Sequence, residues 1–399
     1  MVWPTARAAK PLTAASGSAG SSAATASFTG TRLPRAVASM SSSASVSSSS
    51  NLTIRAVAAF SRTLLRYGCR KVTVRGLERF LSHLHSPERL SSSTGLLTYC
   101  NHISVLDEPT IWGSLPASSF RSPHTVRWTL GASDIMFTNR FLSKFFRNGQ
   151  CIETHRGGGI HQAAIDESIS KLDAGKWIHL FPEGYVNVST STRLRRFKWG
   201  IARMLIEAEK LPVVVPIWIT GFDRLMPEPR EKPKWLPRWG ADVTINFGEP
   251  ITDQLEPVVR AIQEAGDVAP QHLLPEALQT SDRESGSTSG DGRSIPWQVA
   301  TSWNTSSLIR TLTEQSSHNE PATCKSEQPS SLKLALARSQ LAALLRHHLG
   351  LVGVEQRRAD GYQKPQEDGK LVHTESLRSA KKHTENNVLR DGKRKKAGV

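Results

Sequence analysis

His102 and Asp107 stand five residues apart in the stretch Asn101-His102-Ile103-Ser104-Val105-Leu106-Asp107-Glu108-Pro109. Histidine, with a free pKa of about 6.5, is the usual base for drawing a proton from a hydroxyl at neutral pH. A carboxylate on its distal ring nitrogen fixes the tautomer and stabilises the imidazolium that forms. Acyl transfer to an alcohol calls for such a pair, because the hydroxyl becomes a good nucleophile only as its proton leaves. No serine need be acylated if the acceptor's own hydroxyl is the one activated. The bland alternative is a helix-capping segment, with Ser104 or Asp107 as the cap and Pro109 in the first turn. In the catalytic reading, Asn101, Ser104 and Pro109 support the loop.

A second stretch, Phe181-Pro182-Glu183-Gly184, closes an apolar run. Pro182 and Gly184 are ordinary turn residues. Glu183 is less ordinary, since a carboxylate beside a buried apolar strand demands a partner. Arg156, in Thr154-His155-Arg156-Gly157, is one candidate partner. Its guanidinium could instead grip a phosphate in bidentate fashion. Gly157-Gly158-Gly159 would let backbone approach a ligand closely. The cysteines Cys69, Cys100, Cys151 and Cys324 are scattered without zinc-like spacing. They predict neither a metal site nor a disulfide framework, and no cofactor motif is present.

The elements that must position these residues alternate in type. Leu96–Cys100 is a short apolar strand leading straight into His102, and Trp177–Phe181 is another, stopped by Pro182. Ile165, Ile169 and Leu172 have helical spacing, as do Phe197, Ile201 and Leu205. Val213–Trp218 is an apolar strand with Pro216 inside it, which predicts an edge position or a bulge. Asp242–Phe247 alternates like a final strand. Strand–helix–strand alternation predicts an α/β domain with a largely parallel sheet, over residues 72–265.

Outside that region composition changes. Residues 1–77 hold no Asp or Glu and carry scattered arginines in a Ser- and Ala-rich background. Residues 1–50 therefore have the make-up of an organellar targeting leader. Residues 51–71 form an amphipathic helix, with Arg55, Arg62 and Arg66 on one face and Ile54, Val57, Ala58, Leu64 and Leu65 on another. Such a helix can target, anchor at a membrane or pack on a domain, and membrane association is the expectation here. Ser, Thr, Gly and Pro dominate 266–330, predicting a low-complexity insertion. A leucine-rich helix over 331–358 is expected to pack back on the domain, before a basic disordered tail at 359–399. No apolar run is long enough to span a bilayer. The net charge of +16 favours polyanionic partners. Because that charge sits mainly in the tails and no nucleic-acid reading module accompanies it, an anionic membrane surface is the better partner.

The stretches above, in this order, resemble the glycerolipid acyltransferase family, whose first block is His-x4-Asp and whose third is Phe-Pro-Glu-Gly. Gly149–Gly157 is similar to the second block and Val214–Trp218 to the fourth. Trp112-Gly113, Ala132–Thr138, Phe181–Asn187 and Arg196–Ile201 narrow the resemblance to mitochondrial transacylases that remodel cardiolipin. The resemblance implies a mostly parallel central sheet flanked by helices. It also implies coenzyme A-independent acyl transfer between a phospholipid and a lysophospholipid, cardiolipin and monolysocardiolipin among them. His102 and Asp107 would then be catalytic, Arg156, Gly157, Glu183 and Gly184 substrate-binding, and Pro182 supporting. The implied location is a mitochondrial membrane facing the intermembrane space, with the protein peripheral or monotopic. Enzymes of the family that act on lysophosphatidate continue the third block as Glu-Gly-Thr-Arg, where the arginine is linked with the acceptor phosphate. Here it continues Glu183-Gly184-Tyr185-Val186, so that contact is missing. One alternative is an acyl-CoA-dependent lysophospholipid acyltransferase; another, of a different class, is a non-catalytic peripheral membrane-binding protein.

Overall fold

The computed structural model describes residues 48–121, 125–187, 194–227, 233, 236–278 and 328–361. Nearly all of the expected leader, most of the 266–330 insertion and the tail after Gly361 lie outside the described residues. In chain order the first elements are α1 (Ser48–Thr63), β1 (Cys69–Arg75), α2 (Leu77–Leu84), α3 (Pro87–Ser91), β2 (Leu96–Cys100) and α4 (Asp107–Gly113). There follow β3 (Trp128–Ala132), α5 (Ser133–Met136), α6 (Arg140–Asn148), β4 (Cys151–Thr154), α7 (Ala163–Asp173) and β5 (Trp177–Leu180). The last are α8 (Gly200–Glu207), β6 (Val213–Thr220), α9 (Phe222–Leu225), β7 (Ala241–Phe247), α10 (Thr252–Ala265) and α11 (Gln328–Ala359).

The strands form one sheet in the order β1-β7-β6-β2-β5-β3-β4. Every neighbouring pair is parallel except β6 and β7. β2 lies between β5 and β6, and all five of its residues are buried. Alternation then sends Leu97 and Tyr99 to one face and Leu96 and Cys100 to the other, as the period of two in a strand requires. On the first face α7, α8, α10 and α11 cover the sheet. Ile165, Ile169 and Leu172 of α7 are buried there, with Phe197, Ile201 and Leu205. On the second face Phe80 of α2 and Ile111 and Trp112 of α4 close the core. Each such side chain contributes about 1.5–3 kcal/mol by leaving water.

α11 completes the first layer. Leu341, Leu344, Leu345 and Leu349 are buried, and the Tyr99 hydroxyl donates to the Leu345 carbonyl at 2.9 Å. Gly353 is needed in mid-helix, because a Cβ there would stand 2.8 Å from the Trp218 indole.

Two expectations change. Pro216 does not mark an edge, since β6 lies between β2 and β7. The proline is tolerated because the β6–β7 ladder runs only from Ile217↔Phe247 onward. Pro216 sits at the next position, where its carbonyl accepts from Gly248 N at 2.9 Å and no N–H is required of it. The other change is α1. Ile54, Ala58, Leu64 and Leu65, expected to meet a membrane, are buried by the domain, with α1 packed against α4. The apolar face is therefore a packing face. Among the described residues no helix is long and apolar enough to cross a membrane.

Beneath α4, Nδ1 of the fully buried His179 of β5 is hydrogen-bonded to Thr98 Oγ1 at 2.8 Å, and Thr98 Oγ1 accepts from Trp177 Nε1 at 2.9 Å. Burial, then the charges of Arg127 and His102, hold the His179 pKa well below its ordinary value. On α11, burial and His347 push His348 down to about 4. A histidine neutral in the fold and protonated in the unfolded chain removes stability as pH falls below about 6.5. The expected slope is about 1.4 kcal/mol per pH unit for each such group. His179→Gln keeps an amide in place of the ring and removes one of these titrations. Its melting temperature is expected to fall less steeply than the native protein's on acidification below about pH 6.5; equal slopes would show that His179 is not among the groups responsible.

Candidate active site

Parallel strands end at one edge, and the chemistry collects there. β2 delivers Asn101 and His102, β5 delivers Phe181–Tyr185, β3 delivers Asp134 and β4 delivers Arg156. Asn101 is the anchor of this edge. It is buried, its Nδ2 donates to the Ile219 carbonyl at 3.0 Å, and its Oδ1 accepts from Ile219 N at 2.9 Å. These two bonds tie the end of β2 to the end of β6 and aim the next residue out of the sheet.

His102 Nδ1 lies 2.9 Å from Asp107 Oδ2. The same oxygen accepts from Ile103 N at 2.6 Å and Ser104 N at 2.8 Å. With Asp107 ionised, Nδ1 carries the ring proton and donates it to the carboxylate, which leaves Nε2 as the basic nitrogen. The ring keeps 20% of its side-chain surface exposed, whereas Asp107 keeps none. Burial raises the Asp107 pKa, against the opposing pull of His102 and the two backbone amides. Phe181 stacks on the imidazole, ring centres 4.2 Å apart and 24° from parallel. Ser104 is buried, with Oγ accepting from Leu106 N at 3.3 Å. Pro109 occupies the first turn of α4, where its missing N–H has no intrahelical acceptor to lose.

Glu183 is placed differently from expectation. It is buried and does not meet Arg156. Its Oε1 accepts from His102 N at 3.0 Å, and its Oε2 from Arg195 N at 3.0 Å and Asn187 Nδ2 at 3.2 Å. The His102 carbonyl in turn accepts from Asn187 N at 2.6 Å. In place of the expected Arg156 partner, these bonds make Glu183 a bracket that joins the two loops. Burial raises its pKa, and these hydrogen bonds oppose the rise. Pro182 is buried and its carbonyl accepts from Lys198 N at 2.7 Å.

Arg156 is exposed. It pairs with Asp134 at 3.2 Å and lies 5.1 Å above the Tyr185 ring. Lys198 Nζ stands 5.7 Å from the same ring. Gly184 takes φ +75°, and a Cβ there would be 3.2 Å from the Lys198 side chain. Gly157 takes φ +79° in open space; its turn needs a glycine, but nothing packs on it. Arg156, Gly184 and Tyr185 thus share a cationic rim, while Glu183 lies below it.

Residues that spacing alone did not single out complete the arrangement. Glu108 accepts from Trp112 Nε1 at 2.9 Å and Arg127 Nε at 2.7 Å, and Arg127 donates on to the Gly149 carbonyl at 3.2 Å. This brace fixes α4, and with it Asp107, to the turn before β4. Glu108 directly follows Asp107, and an acidic first turn was its only sequence signal. Among the described residues no cluster of His, Cys, Asp or Glu could hold a metal.

Residues 73–220 match the family model described as acyltransferase. A Dictyostelium discoideum protein named "Taffazin" is 40% identical over 45% of this chain and 62% of its own length. Drosophila melanogaster tafazzin is 37% identical over 51% of each chain. An Arabidopsis thaliana N-acylphosphatidylethanolamine synthase is 37% identical over 45% of this chain and 61% of its own. The chain thus spans less than two thirds of the length of these relatives. Residues 73–220, which carry the His102–Asp107 pair at the carboxyl ends of their parallel strands, are thus similar to the acyltransferase family, and the chain is similar to the tafazzins.

Proposed function

We propose that the chain is a phospholipid–lysophospholipid transacylase that needs no coenzyme A. The observation that carries this reading is the oriented His102, whose Nε2 is the basic nitrogen of a partly exposed ring held by a buried carboxylate. The nearby hydroxyl and thiol are unsuited to being the nucleophile. Ser104 Oγ is committed to the Leu106 amide, and the buried Cys100 thiol leans on the Asn101 side chain at 3.5 Å, its pKa raised well above the ordinary value by burial. The acceptor lysolipid's own hydroxyl is then the nucleophile. Nε2 takes its proton as the oxygen attacks the donor ester carbonyl, and returns a proton to the departing lysolipid oxygen. Asp107 stabilises the imidazolium between those events. The Arg156–Tyr185–Lys198 rim supplies positive charge for the substrate phosphate.

Its substrates are phospholipid and lysophospholipid, with cardiolipin and monolysocardiolipin as the expected pair and a mitochondrial membrane as the setting. The relatives named tafazzin and the acid-free leader at 1–50 support this. The relative named for N-acylphosphatidylethanolamine synthesis keeps a second acceptor in view, the amine of that headgroup. The same base serves it, since an ammonium must lose a proton before it attacks.

The deciding experiment supplies purified protein with acyl-labelled phosphatidylcholine and one acceptor at a time, monolysocardiolipin or phosphatidylethanolamine, without coenzyme A. Label is expected in cardiolipin. Label confined to N-acylphosphatidylethanolamine would assign the amine acceptor instead, and transfer only from acyl-CoA would sink the transacylase reading.

Variants address the roles. His102→Ala is expected to lower kcat by about 10³–10⁴-fold, with the protein still folded by circular dichroism. Asp107→Asn is expected to cost about 10²–10⁴-fold, since an amide holds the wrong tautomer. Near-native turnover in His102→Ala would make the motif structural.

A further inference from the structure

α6 has no buried residue, although its sequence, Arg140-Phe-Leu-Ser-Lys-Phe-Phe-Arg-Asn148, is rich in aromatic side chains. Phe141 is 88% exposed and Phe145 46%. With Leu142 at 37% and the neighbouring Ile135 at 58% they leave apolar surface open in the described fold, although α1 runs alongside α6. Contiguous surfaces of this kind mark interaction sites.

Charge is ordered on the same helix. Phe141 and Phe145 stand at i and i+4, so they form one stripe. Arg140, Lys144 and Arg147 stand at i, i+4 and i+7, so they form a second stripe, offset by one residue or about 100° around the axis. The basic stripe borders an open cleft of about 680 Å³ lined also by Phe137, Asn139 and Asn148. Arg147 pairs with Glu153 at 2.7 Å, whereas Arg140 and Lys144 have no ion pair among the described residues. α6 itself carries no acidic residue.

We infer that α6 is the element by which this domain seats on an anionic lipid surface. Phe141, Leu142 and Phe145 enter the acyl region, and Arg140 and Lys144 meet lipid phosphates at the level of the cleft. A second copy of the chain fits this face poorly, because a symmetric contact through α6 sets two basic stripes against each other. An anionic bilayer supplies both complements at once, phosphates above and hydrocarbon below, and an amphipathic helix with basic and aromatic stripes lies in that boundary. α6 belongs to the crossover from β3 to β4, whose ends carry Asp134 and Arg156 beside the active site. Seating α6 therefore brings the catalytic edge of the sheet to the membrane from which a lipid substrate must come. The inference rests on the lipid reading above, and its test separates the two.

The full chain is mixed with vesicles of phosphatidylcholine alone or phosphatidylcholine with phosphatidylglycerol, and hydrogen exchange and co-sedimentation are measured. Peptides covering 137–148 are expected to exchange more slowly on the mixed vesicles than in solution. Arg140→Gln/Lys144→Gln is expected to weaken binding to mixed vesicles about tenfold or more, and to leave binding to phosphatidylcholine unchanged. Phe141→Ser/Phe145→Ser is expected to weaken binding to both. Because α6 buries nothing, both variants are expected to melt as the native protein does and to retain turnover on detergent-dispersed substrate. Turnover lost on dispersed substrate by the native protein too would strike at the enzymatic reading, not at the surface. Unslowed exchange at 137–148, or native-like vesicle binding by both double variants, would overturn the membrane assignment. So would native-like vesicle binding by a Phe141→Ser/Phe145→Ser protein that has lost a dimer formed by the native chain.

Discussion

The site depends on one buried oxygen. Asp107 Oδ2 accepts the His102 ring proton and two successive backbone amides, all from residues 102–104. A carboxylate without solvent contact is costly unless its charge is met by hydrogen bonds. Here the donors come from the loop that the carboxylate must hold, so burying the charge and shaping the loop are the same event. The imidazole is aimed because its chain has wrapped around an anion, and little freedom remains for the ring to lose when a substrate arrives. Glu183 repeats the device from the other side. It grips the backbone N–H of His102 while Asp107 grips the ring. Two buried carboxylates thus hold one residue from opposite ends, and in each, hydrogen bonds from neighbouring amides oppose the rise in pKa that burial causes.

Topology explains why residues so distant in sequence can share this duty. β2 and β5 are parallel neighbours, registered from Leu96↔Trp177 to Tyr99↔Leu180, so the segments that follow them emerge side by side. The Glu183 carboxylate reaches the His102 amide because both leave the sheet at one level. On the other flank, β6 stays in register with β2 to Cys100↔Ile217, and Asn101 extends the tie to Ile219. An antiparallel arrangement of β2 and β5 would have sent the two motifs to opposite ends of the sheet.

The His102–Asp107 pair was legible because its contact is written in side-chain types at short range. Four of the strands and three helices of the first layer, α7, α8 and α11, were legible too, since their apolar residues repeat at the period of the element they form. β1 was not, being an edge strand with no buried residue whose first three residues fall inside the helix expected over 51–71, and β3 and β4 are too short for a period to stand out. The partners of Glu183 were missed for a different reason: besides the Asn187 side chain they are the backbone amides of 102 and 195, and an amide has no residue type to recognise. α1 showed its two faces plainly, yet amphipathicity does not say whether an apolar face meets lipid or protein, and α4 took it. α6 is the reverse case: Phe141 and Phe145, and Leu142 and Phe146, repeat at i and i+4, yet the helix is only nine residues long and none of them is buried.

The arginine that lysophosphatidate enzymes carry two residues after the glycine is Val186 here, and by itself that change predicts a less positive mouth. Tyr185 projects at the rim with Arg156 at 5.1 Å and Lys198 at 5.7 Å from its ring, one cation from the loop after β4 and the other from the segment before α8. Positive charge absent from the motif is brought back from elsewhere in the chain and held on an aromatic face rather than on a fixed guanidinium fork. A bidentate fork selects one phosphate in one orientation. On the proposed lipid reading, two cations on separate elements, spaced by a ring, suit a headgroup whose phosphate is part of a bulkier diester. On that reading the substitution at the motif changes how a headgroup is held and leaves the His102–Asp107 pair as it is.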